Sequence, residues 1–278
     1  MKKLVLALTL LLSINAQAWT QRAPGGIAQC SAHIPYGAET SATPYTPICR
    51  QAYLVEYDAA NKIPNNVSWT LTPDHVLGCV TRSNAFVADQ SVQGGATPAD
   101  YVGKNKQGFN YDKGHMAPDG DQSWDQQVEY ESFLMTNMSP QFGSLNRGIW
   151  KLLETSFRGW ALQLNVPMTA YAGGVYAPTD TVVGNNVRVP HAFYKIVINN
   201  QTKEVAGWMF PHTAPYPNLG NDLTKFRMPI AQIEQAGGVQ YPMPAGAVEL
   251  QPGKEWPVDF GKLTQAKRAR CGANASDD

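Results

Sequence analysis

A set of four cysteines most constrains what this chain can fold into: Cys30, Cys49, Cys79 and Cys271. An even number of cysteines in an exported protein predicts two disulfides. Three pairings are possible, and the sequence alone does not choose among them. We favour Cys30–Cys49, which would close a loop rich in Pro, Thr and Ser, together with Cys79–Cys271, which would fix the C-terminal end. Zinc binding is the alternative, but the chain has no C-x-x-C pair of the kind that zinc sites use.

The N-terminus predicts export. Lys2 and Lys3 precede an apolar run over residues 4–12, and Ala16-Gln17-Ala18 has the small-x-small form of a signal-peptidase site. We therefore expect a signal peptide over residues 1–18 and a secreted or periplasmic mature chain. The apolar run is too short to span a bilayer as a stable helix, and no later stretch approaches the roughly 18 consecutive apolar residues of a membrane helix. We therefore expect no membrane association after signal removal; a retained membrane anchor is the alternative.

The composition indicates a globular protein, with 43% hydrophobic and 16% charged residues. Loss of Lys2 and Lys3 with the signal changes the formal charge from 0 to −2. This balance argues against nucleic-acid binding through one large basic surface, but it allows a locally basic cleft. The oligomeric state is left open. Basic residues do crowd one part of the sequence: Lys104, Lys106, Lys113, Arg147, Lys151 and Arg158.

Local patterns predict one mixed α/β domain over residues 19–278, with an irregular lead-in at 19–50 and a frayed tail after Cys271. Strands are expected at 51–57, 80–87, 109–111, 170–176, 192–199 and 205–210, with a hairpin turn at Asn199-Asn200. Helices are expected at 128–135, 146–160 and 223–235, the last ended by Gly237-Gly238. Residues 61–79 and 88–108 are interpreted as loops because proline, glycine and asparagine interrupt them.

The segment Asp112-Lys113-Gly114-His115 carries the clearest chemical signal. An unperturbed histidine titrates near pH 6.5, so His115 can take a proton from water at neutral pH. Asp112 could orient the imidazole or hold a metal-bound water. The alternative is an ordinary hydrogen-bonded histidine in a surface turn. The other histidines lack comparable neighbours and are interpreted as structural: His33, His75, His191 and His212.

The predicted helix at 146–160 supplies two further candidates. The carbonyl oxygen of Asn146 is a suitable neutral ligand for Mg²⁺. Glu154 lies about 80° further round the helix, at the margin of the apolar stripe, where its carboxylate could hydrogen-bond metal-bound waters. The alternatives are a helix N-cap for Asn146 and a solvated side chain for Glu154, beside Lys151 and Arg158.

Three more polar residues fit the same chemistry. Asn137 and Gln141 follow a short helical run, where amides ordinarily satisfy loop backbone. Arg82 lies in a predicted strand, where it would ordinarily be solvated. An arginine can also bind phosphate through two hydrogen bonds and stabilise a pentacovalent transition state.

Taken in order, these motifs resemble the DNA/RNA non-specific endonuclease family over about residues 50–240. The resemblance rests on Asp112-Lys113-Gly114-His115-Met116-Ala117-Pro118, Thr136-Asn137-Met138-Ser139-Pro140-Gln141, Leu145-Asn146-Arg147-Gly148 with Trp150, Leu153-Glu154, Val189-Pro190, Ala192-Phe193-Tyr194-Lys195, Phe226-Arg227 and Ile233-Glu234. It implies a ββα-metal nuclease fold, with a central, mostly antiparallel sheet flanked by helices. One departure is Lys113, where the family has arginine. Lysine keeps the charge but loses the planar fork that positions phosphate.

The resemblance also implies roles for individual residues. His115 would be the general base, and Asn137 would lie in the catalytic pocket. Asn146 would be the direct ligand of one hydrated Mg²⁺, with Mn²⁺ as a possible substitute. Asp112 and Glu154 would hold the waters of the metal. The remaining candidates are Arg82 for transition-state charge, and Lys113, Gln141 and Arg147 for substrate binding.

The expected protein is therefore a secreted endonuclease that hydrolyses DNA and RNA with little sequence preference and leaves 5′-phosphate ends. Two alternatives stay open at this stage. One is a phosphodiesterase restricted to RNA or to small nucleotides. The other is a secreted binding module without catalytic activity, which the balanced charge would suit.

Overall fold

The computed structural model describes residues 20–103, 108 and 110–272. The predicted signal peptide, the tail beyond Gly272 and position 109 of a predicted strand lie outside the described residues. Among the described residues, no helix is both long and apolar enough to cross a membrane.

Strands and helices alternate irregularly along the chain. The strands, in chain order, are β1 (Thr40–Ser41), β2 (Thr46–Cys49), β3 (Leu54–Asp58), β4 (Ile63–Leu71), β5 (Asp112–His115), β6 (Met138–Gln141), β7 (Met168–Val175), β8 (Val182–Val183), β9 (Val187–Arg188), β10 (Ala192–Asn199), β11 (Glu204–Pro211), β12 (Val239–Gln240) and β13 (Val248–Glu249). The α-helices are α1 (Pro73–Val76), α2 (Asp119–Gln122), α3 (Gln126–Ser132), α4 (Lys151–Leu164), α5 (Ile230–Gly237) and α6 (Phe260–Cys271). Short 3₁₀ turns occupy Ile27–Cys30, Pro98–Tyr101, Met135–Asn137 and Leu223–Phe226, and a π-helical turn occupies Leu145–Trp150.

Seven strands form the main sheet, in the order β13-β11-β10-β7-β4-β3-β2. All neighbours pair antiparallel except β11 and β13, which pair parallel over two residues. A separate two-stranded ribbon joins β5 to β6. The predicted α/β class and the central, mostly antiparallel sheet are thus confirmed.

Helices cover both faces of the sheet. Along β4, Val67, Trp69 and Leu71 point to one face and pack in a core with α4 and α6. The other face carries a second apolar cluster that includes Ile230 and Ile233 of α5. Side chains alternate along a strand, so two apolar faces require two covering layers. The ribbon of β5 and β6 forms a ββα unit with α4, and the residues just after β5 pack in the same core as α4 on this side of the sheet.

Several predicted elements are confirmed. The strands expected at 170–176, 192–199 and 205–210 are β7, β10 and β11, and the amide of Lys203 donates to Asn199 O (2.8 Å) in the expected hairpin. The favoured disulfides also form. Cys30 pairs with Cys49, and Cys79 pairs with Cys271, with Cα–Cα distances of 5.6 and 5.2 Å.

Other predictions about elements are wrong. The expected loop at 61–79 contains β4, because Val67, Trp69 and Leu71 alternate with polar residues despite Pro64 and the two asparagines beside it. The expected strand at 80–87 is extended chain with one isolated bridge, Val87 to Leu134. The helix expected at 223–235 is interrupted before Pro229, so that α5 starts at Ile230. Helix α6 was not predicted, and the lead-in contains the edge strand β2.

Candidate active site

The β5–β6 ribbon positions His115. This histidine is the last residue of β5 and is opposite Met138 of β6. The backbone on either side of it is fixed, since Trp150 Nε1 donates to His115 O (3.3 Å) and Met116 N donates to Asn137 O (3.0 Å). Gly114 is required for space. A Cβ there would lie 2.0 Å from Oε1 of the buried Gln141.

The π-helical turn positions Asn146. Gly148, inside this turn, has φ −106° and ψ −118°, a non-helical conformation that kinks the chain before it continues into α4. Asn146 lies inside the turn rather than at its N-cap, and Asn146 Nδ2 donates to Asp112 Oδ2 (2.9 Å). Arg147 donates to the same carboxylate oxygen of Asp112. The π turn thus brings the amide of Asn146 to the end of the ribbon.

Ribbon and helix meet at a surface cleft of about 420 Å³. His115 and Asn146 both line it, as does Glu154. The other lining residues are Arg82, Lys113, Pro118, Asp119, Gly120, Arg147, Lys151 and Arg158. Five of the lining side chains are basic and two are acidic, so the cleft can attract a polyanion although the chain as a whole is nearly neutral.

The imidazole of His115 is held by aromatic rings rather than by a carboxylate. It is 7% exposed and packs edge-on against Phe133, with Phe86 also nearby. Within the described chain, its buried Nε2 atom has no hydrogen-bond partner. Burial, reinforced by the charge of Arg82, holds the pKa of His115 well below 6.5. The ring is therefore neutral at neutral pH and able to accept a proton.

Arg82 reaches the cleft from the extended segment at 80–87. It forms an ion pair with Asp119, and Arg82 Nε donates to Asn84 Oδ1 (2.9 Å). Its guanidinium also lies over the ring of Phe133, 4.9 Å from the centroid. Ser83 N donates to the buried carboxylate of Glu129 (2.7 Å), which fixes the backbone next to Arg82.

Glu154 is not a solvated surface residue. It is 9% exposed and pairs with the fully buried Lys195 Nζ of β10 at 3.4 Å. That ammonium also lies over the rings of Trp150 and Trp69, at 4.3 and 5.3 Å. Burial raises the pKa of Glu154 to about 7 although Lys195 opposes the shift. The carboxylate is thus held at the edge of the cleft by a cation beneath it.

Three predicted residues do not line the cleft. The amide of Asn137 is fully buried: Ala117 N donates to its Oδ1 (3.0 Å), and its Nδ2 donates to Ala117 O and Ser132 O (both 2.8 Å). It therefore fixes the turn after His115. Gln141 is fully buried against Gly114. Asp112 contacts the lining residues Asn146 and Arg147, as described above, without lining the cleft itself.

The structure adds residues that sequence reasoning did not select. Arg158 lines the cleft one turn after Glu154 and pairs with buried Asp121 (3.1 Å). The i,i+4 spacing of Arg158 from Glu154 is a sequence signal that could have identified it. Lys195 could also have been identified, because it is the lone charge in the otherwise nearly apolar strand β10. A lysine is almost never fully buried without a partner. Asp119, the partner of Arg82, gave no distinctive signal.

Comparison with known proteins identifies the family of this chain. Residues 30–245 match the family model described as DNA/RNA non-specific endonuclease. The chain is 29% identical to endonuclease G, mitochondrial, of Homo sapiens (69% of this chain, 68% of the relative). It is 30% identical to nuclease C1 of Cunninghamella echinulata var. echinulata (69% and 81%). It is 26% identical to the nuclease of Serratia marcescens (86% and 87%).

A solved structure shows the same fold. A chain in the crystal structure of the EndoG/EndoGI complex superposes with a TM-score of 0.66 at 23% identity, covering 84% of this chain and 99% of that one. This likeness bears on architecture, namely the sheet with its ββα unit. The family match spans well over half of the sequence and includes the ribbon, the π turn and α4. The chain therefore belongs to the DNA/RNA non-specific endonuclease family.

Proposed function

We propose that this protein is a secreted or periplasmic, metal-dependent endonuclease that hydrolyses DNA and RNA with little sequence preference and leaves 5′-phosphate ends. The observation that supports it best is the meeting of His115 and Asn146, distant in sequence, at one basic cleft. A single endonuclease domain would comprise residues 19–278. Export is supported by the predicted signal peptide and by two disulfides, which persist in oxidising compartments.

The residues at the cleft fit a hydrated divalent cation. Asn146 Nδ2 donates to Asp112, so Oδ1 is the amide atom left for a ligand. The described residues contain no group of three or more His, Cys, Asp or Glu side chains that could hold a metal. One amide oxygen, with Asp112 and Glu154 to hydrogen-bond waters, suits Mg²⁺, which keeps most of its hydration shell; Mn²⁺ is a possible substitute. When bound, such a cation neutralises charge on the phosphate and the departing oxygen.

The protein side chains would carry the other parts of the reaction. A ring nitrogen of His115 accepts a proton from water, and the resulting hydroxide attacks phosphorus in line with the departing 3′ oxygen. Arg82 stabilises the charge that accumulates on the phosphoryl oxygens. Lys113 and Arg147 bind neighbouring phosphates. Asn137 and Gln141 act indirectly, by holding the turn after His115 and the ribbon.

The lining of the cleft also supports broad substrate use. Its basic side chains can contact phosphate groups, which every nucleic acid has, whereas sequence is distinguished through base edges. The same cleft can therefore accept DNA and RNA. Restriction to RNA would require a group that recognises the 2′-hydroxyl.

A digest with purified mature protein tests the proposal. Supercoiled DNA, single-stranded DNA and RNA are incubated with Mg²⁺ or with EDTA. We expect all three to be degraded with Mg²⁺ and none with EDTA. His115→Ala should lower the rate by roughly 10²–10⁴-fold, the usual contribution of a general base.

The matched control is His75→Ala, because His75 stacks on Trp124 away from the cleft. Ligation of the products without kinase treatment reports 5′-phosphate ends. Near wild-type digestion by the His115 variant would refute the assignment of the base. Degradation of RNA but not of DNA would show that the enzyme is restricted to RNA.

A further inference from the structure

A second polar cluster is buried on the face of the main sheet opposite α4. On the face that α5 covers, Glu56 of β3 pairs in register with Asn66 of β4, and Ser68 of β4 pairs with Tyr171 of β7. Glu39, just before β1, closes the group from above, since Asn66 Nδ2 donates to Glu39 Oε1 (2.9 Å). We call these five residues the carboxylate cluster.

Six oxygens of the carboxylate cluster lack a hydrogen bond of good geometry. Among the described residues, no well-aligned donor or acceptor meets Glu39 Oε2, Glu56 Oε1, Glu56 Oε2, Asn66 Oδ1, Ser68 Oγ or Tyr171 Oη. The Ser68 hydroxyl lies beside the Glu39 carboxyl, and the Tyr45 hydroxyl lies beside that of Glu56. Each of the five side chains is at most 3% exposed. Buried polar groups are nearly always hydrogen-bonded, so this concentration of unsatisfied oxygens requires an explanation. The neutral groups Asn66 and Ser68 make the site more than a pair of carboxylates.

The cluster also lacks positive charge. No lysine, arginine or histidine in the described ranges forms an ion pair with Glu39 or Glu56. Burial and the nearby charge of Glu39 raise the pKa of Glu56 to about 9, and burial raises that of Glu39 as well. Two ionised buried carboxylates without a counter-charge would strongly destabilise a fold, so a proton or a cation must neutralise at least one of them.

We propose that the carboxylate cluster is a binding site for a hard divalent cation, best matched by Ca²⁺. Ca²⁺ takes six to eight oxygen ligands in flexible geometry and accepts both oxygens of one carboxylate. Glu56 can supply two oxygens, and Glu39, Asn66 and Ser68 one each, while water completes the shell. Two negative charges match the charge of the ion. The cation would hold the segment before β1 onto the sheet.

The position of the cluster allows an ion to reach it. Ser41, two residues after Glu39, lines two surface cavities of about 260 and 530 Å³. The second cavity is also lined by both residues of β12, which pairs with β1. None of the five cluster residues lines either cavity, so an ion would enter through local opening of the short β1–β12 ribbon, which costs little free energy.

A shared proton is the competing explanation. Two adjacent carboxyl groups can hold one proton between them when like charges cannot both be ionised. That arrangement would satisfy part of Glu39 and Glu56, but it would leave Asn66 Oδ1 without a donor. Cation binding and proton sharing make opposite predictions for added Ca²⁺, so one experiment separates them.

The test measures Ca²⁺ binding to the EDTA-treated mature chain by equilibrium dialysis at neutral pH. Asn146→Ala is introduced into every sample, so that the cleft is weakened as a competing site. We expect about one equivalent of Ca²⁺, with a raised thermal midpoint. Glu56→Gln should weaken binding roughly tenfold or more, since it removes charge and a bidentate ligand, and Ser68→Ala should weaken it less.

Glu131→Gln is the matched control, because Glu131 is an equally buried glutamate that accepts hydrogen bonds from Gln51 N and Gln127 outside the cluster. Ser68→Ala keeps both carboxylates and addresses the possibility that the Glu56 variant fails to fold. Equal Ca²⁺ binding in all variants would overturn the proposal. So would absence of binding together with an infrared band of protonated carboxyl that disappears in Glu56→Gln, which would assign a shared proton. Both outcomes are independent of nuclease activity.

Discussion

At the scale of single residues, the environment of His115 predicts an unusual pH profile. Burial and the positive charge of Arg82 lower its pKa, so the neutral ring persists below pH 6.5. We expect the acid-side decline of kcat/KM to have its midpoint below pH 6.5. Arg82→Gln removes the positive charge near His115, so this midpoint should rise toward the ordinary histidine pKa, although the rate itself drops.

The control for this prediction is Lys151→Gln. Lys151 is another cation of the cleft, but it does not contribute to the pKa shift of His115. Lys151→Gln should therefore keep the wild-type midpoint of the acid-side decline. Initial rates on a short fluorogenic duplex between pH 4.5 and 8 give the profile, with roughly constant ionic strength because screening alters charge effects. A midpoint above pH 6.5 in the wild-type protein would contradict the assignment of the acid-side decline to His115.

Lys195 is expected to act on the reaction through Glu154. Lys195→Met removes the cation beneath a buried carboxylate, and breaking a buried pair costs about 3–5 kcal/mol of unfolding free energy. If Glu154 holds metal-bound waters, kcat should also fall by roughly 10–100-fold, as for other residues that position metal ligands.

A double-mutant cycle separates these effects. Lys195→Met in the Glu154→Gln background should lower kcat by much less than in the wild type, because the Glu154 carboxylate that Lys195 positions is already absent. Lys225→Met serves as control, since the side chain of Lys225 is 71% exposed. Additive losses in the cycle would show that Lys195 is a structural residue without influence on Glu154.

At the scale of elements, the β5–β6 ribbon depends on Gly114 for space. The φ of Gly114 is not positive, so alanine is excluded by Gln141 rather than by backbone strain. Gly114→Ala should destabilise the protein by about 1–3 kcal/mol, as overpacking does, and lower activity by displacing His115. Adding Gln141→Ala should restore part of both, measured by thermal unfolding and plasmid digestion. Failure of the double variant to recover would contradict this account.

Elements differ in how far the sequence predicts them. The hairpin of β10 and β11 was predictable because apolar residues run continuously to a polar turn. β4 was not, because Pro64 and two asparagines suggest a loop, and its pairing with β3 and β7 comes from distant parts of the chain. The π turn at Asn146 likewise cannot be predicted from a 3.6-residue hydrophobic period, because Gly148 takes a non-helical conformation.

At the scale of the whole molecule, the site is assembled from separate segments, and only some of them are recognisable from the sequence. His115 and Asn146 were identifiable from motif chemistry. The burial of Glu154 was not, because its counter-ion Lys195 lies on β10, 41 positions away. Arg82 reaches the cleft from a segment whose one strand-like pairing among the described residues is the bridge at Val87. Its position depends on contacts that span almost the entire chain.

The disulfide Cys79–Cys271 supplies the covalent one of these contacts. It ties the end of α6 to the chain three residues before Arg82, across a separation of 192 residues. Lys267 Nζ of α6 donates to Gly78 O (2.9 Å), and Val80 N donates to Ser123 O (2.9 Å). The segment that leads to Arg82 is therefore held from both sides, by α6 and by the turn after α2.

Removal of the two disulfides should consequently have unequal effects. In the chain-entropy model, Cys79–Cys271 stabilises by about 5 kcal/mol and Cys30–Cys49 by about 3 kcal/mol, because the first closes a longer loop. We expect Cys79→Ser/Cys271→Ser to lower the thermal midpoint more than Cys30→Ser/Cys49→Ser. It should also lower kcat at temperatures where both variants are folded, since only the first pair adjoins Arg82. Equal losses of kcat in the two folded variants would show that Arg82 is held without help from α6.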